Sequence, residues 1–115
     1  MTFSVEDFAN LSEECISKVQ AQFNEYQNKY FPKRSPEFFC LELNGEAGEL
    51  ANAEKKHWKG KYIPHKIFED ETADVCIALI NYSNARGIDL GKAVKNKLLK
   101  IEKTRVRLAE KGESY

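Results

Sequence analysis

Apolar residues recur at steps of three and four along nearly the whole chain. No stretch shows the sustained alternation of a half-buried strand. That rhythm confines the chain to helices and divides it into four. The first stretch carries Phe8, Leu11, Cys15, Val19, Phe23, Tyr26 and Tyr30. It opens on Ser4 as N-cap with Glu6 and Asp7 in the first turn, and stops at Phe31-Pro32. Ser35-Pro36-Glu37 restarts the chain as cap, first-turn proline and first-turn acid. The second stretch places Phe39, Leu43, Ala47 and Leu50 inward and runs to about His57. A loop with Gly60 and Pro64 follows. The third begins near Lys66, carries Phe68, Val75, Leu79 and Tyr82, and ends at Gly87. Asp89 caps the fourth, whose stripe is Leu90, Val94, Leu98, Ile101 and Leu108; residues 112–115 form a tail.

The expected fold is therefore all-α: a four-helix bundle-like protomer in one domain, residues 1–115. It has a long first helix, acidic second and third helices and a basic-ended fourth. With 115 residues, 42% of them apolar, the chain can bury one modest core. The first helix is long enough to meet more than one neighbour or another protomer, so an oligomer is expected.

Charge excludes some functions. Eighteen Lys and Arg balance eighteen Asp and Glu, which argues against non-specific binding to nucleic acid or to a membrane surface. No apolar run has membrane-spanning length, and the N-terminus lacks the basic-then-apolar layout of a signal peptide. Cys15, Cys40 and Cys76 are odd in number and widely spaced, with no Cys-x-x-Cys. They read as reduced, buried thiols of a cytoplasmic protein.

The acids carry the chemistry. Glu46-Ala47-Gly48-Glu49 is answered by Glu71-Thr72-Ala73-Asp74. Each pair is spaced by three, which puts both acids on one helical face. At about 100° per residue, Glu42, Glu46, Glu49 and Ala53 run down a flank of the face centred on Leu43 and Leu50. Glu71, Asp74, Ala78 and Asn81 form the matching flank beside Val75 and Tyr82. Taken singly, such acids are solvated helix residues. If the two flanks face each other the carboxylates converge, and convergent carboxylates need a cation. Their hard oxygens suit Mg²⁺ or Mn²⁺. Gly48 among small residues fits a close helix approach.

Lys97 and Arg105 fall within the apolar stripe of the fourth helix. They snorkel to water, pair with acids across the bundle, or meet a bound anion. Metal, carboxylates and inward cations together are what a triphosphate requires. Asn81 is a candidate partner for sugar or base, or a polar edge residue. Trp58 is a candidate for stacking on a base, or a core-edge aromatic. His57 and His65 have no metal-ligand spacing and are expected in solvent.

The paired motif resembles the E-x-x-E…E-x-x-D pattern of the MazG-like all-α nucleoside triphosphate pyrophosphohydrolases. The likeness covers roughly residues 35 to 107. It includes Leu43-Asn44-Gly45-Glu46-Ala47-Gly48-Glu49-Leu50, then Glu71-Thr72-Ala73-Asp74-Val75 leading to Arg86-Gly87-Ile88-Asp89-Leu90, and Lys97 with Arg105. The first helix matches only in being long and amphipathic. The resemblance implies hydrolysis of a (deoxy)nucleoside triphosphate between its α and β phosphates, in nucleotide-pool house-cleaning. It implies Mg²⁺ on Glu46, Glu49, Glu71 and Asp74, and a homodimer or homotetramer with sites near subunit contacts. One of these acids, or Glu42, would orient or deprotonate the attacking water. Phosphoribosyl-ATP is the alternative substrate. A non-catalytic helical interaction module is the alternative of another class. A di-iron bundle would need Glu-x-x-His on two helices, which this chain lacks.

Overall fold

Capping residues decide where each helix begins. Ser4 Oγ accepts the Asp7 amide at 3.2 Å, and α1 runs Val5–Tyr30 until Pro32 blocks its continuation. Ser35 Oγ accepts the Phe38 amide at 3.2 Å and starts α2, Pro36–Trp58, with proline in the first turn. Helix α3, His65–Arg86, follows Pro64 without a side-chain cap. It closes on Gly87, whose φ of 73° is left-handed and suits glycine. Asp89 Oδ1 accepts the Lys92 amide at 3.1 Å and starts α4, Leu90–Glu110. These bounds lie within a residue of those expected.

The computed structural model describes residues 2–115. The fold is all-α and four-helix bundle-like, and among the described residues there is no strand. Among the described residues, no helix is long and apolar enough to cross a membrane. The chain forms two compact units, Met1–Gln22 with Ile88–Tyr115, and Phe23–Gly87.

In the first unit a close contact joins α1 to the start of α4. Gly91 is buried, and a Cβ there would fall on Ser17 Oγ and the Glu13 carbonyl. Ser17 Oγ donates to Asp89 Oδ1 at 3.2 Å. Gln20 is buried and grips the turn before α4. Its Nε2 donates to the Ile88 carbonyl at 2.6 Å, and its Oε1 accepts the Leu90 amide at 2.9 Å. Nothing in the periodicity singled out Gln20, because the apolar stripe beside it drew the helix face elsewhere.

In the second unit α2 and α3 pack antiparallel. Arg86 faces Glu37 at 3.6 Å at one end, and the His57 and Phe68 rings meet edge-on at 5.6 Å at the other.

On α1, Phe8, Leu11, Val19, Tyr26 and Tyr30 are exposed, and the buried residues are Ala9 and Gln20. Periodicity identifies an apolar face but not what covers it. The three cysteines are exposed as free thiols rather than buried; Cys15 belongs to that same uncovered face of α1.

Candidate metal centre

The buried line of α2 steps by seven. Phe39 and Ala53 are buried, and Glu46 stands midway between them, half-buried. On α3 the corresponding line is Glu71, Ala78 and Ala85, with Ala78 only 1% exposed. Seven residues make nearly two full turns, so each set shares one side of its helix. Glu46 and Glu71 thus occupy the packed face itself, not its flank as the wheels suggested. On α3 the expected centre, Val75 and Tyr82, is half-buried, Leu79 beside it is 38% exposed, and Ala78 and Asn81 from the expected flank are buried.

This register brings three acids together. One carboxylate oxygen from each of Glu46, Glu49 and Glu71 lies within 4.8 Å of the others. Glu46 and Glu71 are half-buried and Glu49 is exposed. Oε2 of Glu46 and Oε2 of Glu71 are shielded from solvent and have no hydrogen-bond partner. Among the described residues, no Lys or Arg forms an ion pair with any of the four motif acids. Asp74 is exposed and outside the group of three, but its charge bears on both Glu46 and Glu71.

Electrostatics follows from this crowding. Burial is the main force raising the Glu46 pKa, followed by the charges of Glu49 and Asp74. Burial also leads at Glu71, followed by contact with Glu49 and then the charges of Glu49, Asp74 and Asp70. Carboxyl contact with Glu49 becomes a hydrogen bond only when one partner holds a proton. When all are ionised, the inner oxygens face other acceptors and no donor.

The donors fit a hard divalent cation. Oxygens around one Mg²⁺ stand about 3–4 Å apart, given ligand distances near 2.1 Å. Small side-chain rotations would close this group around such an ion. The shielded acceptors Glu46 Oε2 and Glu71 Oε2 lack the positive partner that an ion provides.

The other expected site residues fare differently. Asn81 is buried, 6% exposed, with Oδ1 unpartnered, and it lines a cavity at the end of α3. Trp58 is 90% exposed, so it is not a core-edge aromatic. Position 58 is the last residue of α2, beyond the packed line through Ala53. Lys97 and Arg105, in the other unit, are exposed rather than set in a buried stripe. Arg105 grips Glu102 on its own helix, at 2.6 and 2.9 Å, so the ion pair runs along α4 and not across the bundle. Of the outcomes expected for cations in an apolar stripe, the long stems of both side chains give the one in which the charge reaches water. A Cβ on Gly48 would meet nothing within 4 Å, so the expected close approach there is absent. His57 and His65 are exposed, as expected.

The cavity's other amides, Asn24, Gln27, Asn28 and Asn84, lie outside the site residues expected from the sequence. They carried a usable signal. Asn24 with Gln27 and Asn28, and Asn81 with Asn84, repeat the helical spacing that drew attention to the acids.

Compared with protein-family models, characterised proteins and solved structures, the chain matches none.

Proposed function

We propose that this chain is a Mg²⁺- or Mn²⁺-dependent hydrolase that cleaves (deoxy)nucleoside triphosphates between the α and β phosphates, releasing monophosphate and pyrophosphate. The observation that carries the reading is the pair of solvent-shielded, donor-less oxygens, Glu46 Oε2 and Glu71 Oε2, within a group of three converging carboxylates. The resemblance of Glu46-x-x-Glu49 and Glu71-x-x-Asp74 to the MazG-like pyrophosphohydrolases supplies the reaction.

A divalent ion would provide the charge neutralisation and water activation that phosphoryl chemistry requires. The chain's own residues divide the remaining work. Glu46 and Glu71 present inner oxygens from the packed face of α2 and α3. Glu49 bridges towards both, and exposed Asp74 completes the ligand set. Lys97 and Arg105 are the proposed phosphate-binding cations. Arg105 would meet a phosphate by leaving Glu102. The cytoplasm, where such triphosphates are abundant, is the proposed location.

The uncovered apolar residues of α1, among them Leu11 at 58% exposed and Tyr26 at 53%, support a homodimer or homotetramer. The same face favours a second reading, a helical interaction module with no catalysis. Both are tested by incubating folded protein with Mg²⁺ and a panel of NTPs and dNTPs, and by resolving pyrophosphate from orthophosphate. Pyrophosphate is expected. Orthophosphate as first product removes α–β cleavage. Absence of any product from the full panel leaves the interaction module.

A further inference from the structure

The acid group explains a triphosphate but not a base. Within the same unit, a cavity of about 800 Å³ opens where the end of α1, the start of α2 and the end of α3 meet. That volume is within the range of small-molecule sites. Its lining is unusual in chemistry. Asn24, Gln27, Asn28, Asn81 and Asn84 bring five amides to one space, with buried Phe39 as an apolar wall. Amides offer donors and acceptors without charge, which is what the polar edge of a heterocycle pairs with. An aromatic wall suits a planar ring.

Asn81 sets the polarity of recognition. Its side chain is 94% out of solvent by residue exposure, being 6% exposed, and its Oδ1 accepts no hydrogen bond. A buried acceptor without a donor is unfavourable unless a ligand supplies one. Lys33 and Arg34 also line the cavity, from the exposed segment between α1 and α2, with the Arg34 guanidinium 4.7 Å over the Phe38 ring. They could attract an anion to the mouth. An anion cannot satisfy Asn81 Oδ1, because an acceptor needs N–H or O–H. Asn81 follows Asp74 by two turns of α3, about 10 Å along the axis, which is the scale of a nucleoside 5′-phosphate.

We propose that this cavity is a nucleobase pocket in which an N–H of the base edge donates to Asn81 Oδ1, with the ring against Phe39. The proposal rests on the triphosphate reading for its choice of a nucleoside among N–H heterocycles, and its test needs no phosphate. Binding of cytidine and adenosine, and of their N,N-dimethylated counterparts, is measured by ligand-detected NMR on the full chain without metal. The parent nucleosides are expected to bind, and capping the exocyclic amine is expected to weaken binding about tenfold or more, the usual cost of an unmet buried acceptor.

Asn81→Leu keeps the volume and removes the acceptor. It is expected to abolish the difference between parent and capped nucleosides while making the free protein no less stable. Asn28→Trp, at an exposed position on the rim, is expected to obstruct both. Equal binding of parent and capped nucleosides to the wild type overturns the proposal, as does a failure of all nucleosides to bind. A change of oligomeric state in Asn28→Trp with nucleoside binding intact also overturns it, and makes the cavity a subunit contact. The two readings separate cleanly. Pyrophosphate release with base selectivity unaltered in Asn81→Leu removes the pocket and keeps the hydrolase. Nucleoside binding that depends on Asn81, without pyrophosphate release, keeps the pocket and removes the hydrolase.

Discussion

Gln20 and Asn81 are buried to nearly the same degree, 7% and 6% exposed, yet they end differently. Gln20 spends its amide on the chain, with Nε2 on the Ile88 carbonyl and Oε1 on the Leu90 amide. Asn81 leaves its oxygen without a donor, and a short way along the same α2–α3 pair Glu46 and Glu71 do the same. Buried Ser83 sides with Gln20, since its hydroxyl donates to the Leu79 carbonyl at 2.9 Å. The contrast separates polar groups paired within the fold from buried polar atoms left without a hydrogen-bond partner among the described residues. Folding selects for the first kind and tolerates the second where binding repays it.

The largest expected effect falls on the acids. Glu46→Gln keeps the shape and removes one inner ligand charge. Pyrophosphate release with Mg²⁺ should drop by about 100-fold or more, as expected when a metal ligand is lost. Metal-free stability should not fall, because a crowded carboxylate has gone. Intact turnover in Glu46→Gln would place that residue with Gln20 as a structural group and end the contrast.

Gln20→Leu should act in reverse. It strands the Ile88 carbonyl and the Leu90 amide, at a cost of about 2–3 kcal/mol. Chemical denaturation would read this directly, with turnover per folded molecule unchanged. A pair of glycines gives a smaller version of the same test. Gly91→Ala drives a Cβ into Ser17 and the Glu13 carbonyl and should destabilise by about 1–3 kcal/mol. Gly48→Ala meets open space and should stabilise α2 by about 1 kcal/mol. Equal effects at the two positions would mean that the α1–α4 contact at Gly91 is not tight.

The helices were legible because their signals are local. Ser4, Ser35, Asp89 and Gly87 each act within a turn of the boundary they set. The convergence of Glu46 with Glu71 was legible too, through paired spacing. The deepest line of α3 was not, since Leu79 is bulkier than Ala78 and outweighs it on a wheel, while close helix packing favours the small side chain. The fates of Lys97, Arg105 and Trp58 depend on side-chain reach and local pairing, which periodicity does not encode. On α1, Phe8, Leu11 and Tyr30 are exposed; a helical stripe marks an apolar side without naming what covers it.

The smallest effect, and the one most specific to the acid group, is in pH. Glu46 and Glu71 have raised pKa values in the folded chain. From the ordinary glutamate range, about 4.3, up through those raised values, the folded state holds more protons than the unfolded. Stability of metal-free protein therefore falls as pH rises through that window. Glu37 and Glu102 are lowered instead, Glu37 mainly by its own backbone N–H and the Ser35 hydroxyl, Glu102 mainly by Arg105. Their stabilisation is present above the ordinary range and is lost as pH falls below it, so the two windows do not coincide. Thermal melts between about pH 4 and pH 8 should show the upper loss in the wild type and little of it in a Glu46→Gln, Glu71→Gln double variant. Adding Mg²⁺ should reverse the upper slope in the wild type alone, because the ion binds the deprotonated carboxylates and its stabilisation grows as they ionise. An upper window that persists in the double variant would assign that loss to other groups and leave the acid pair as solvated as its surface counterparts.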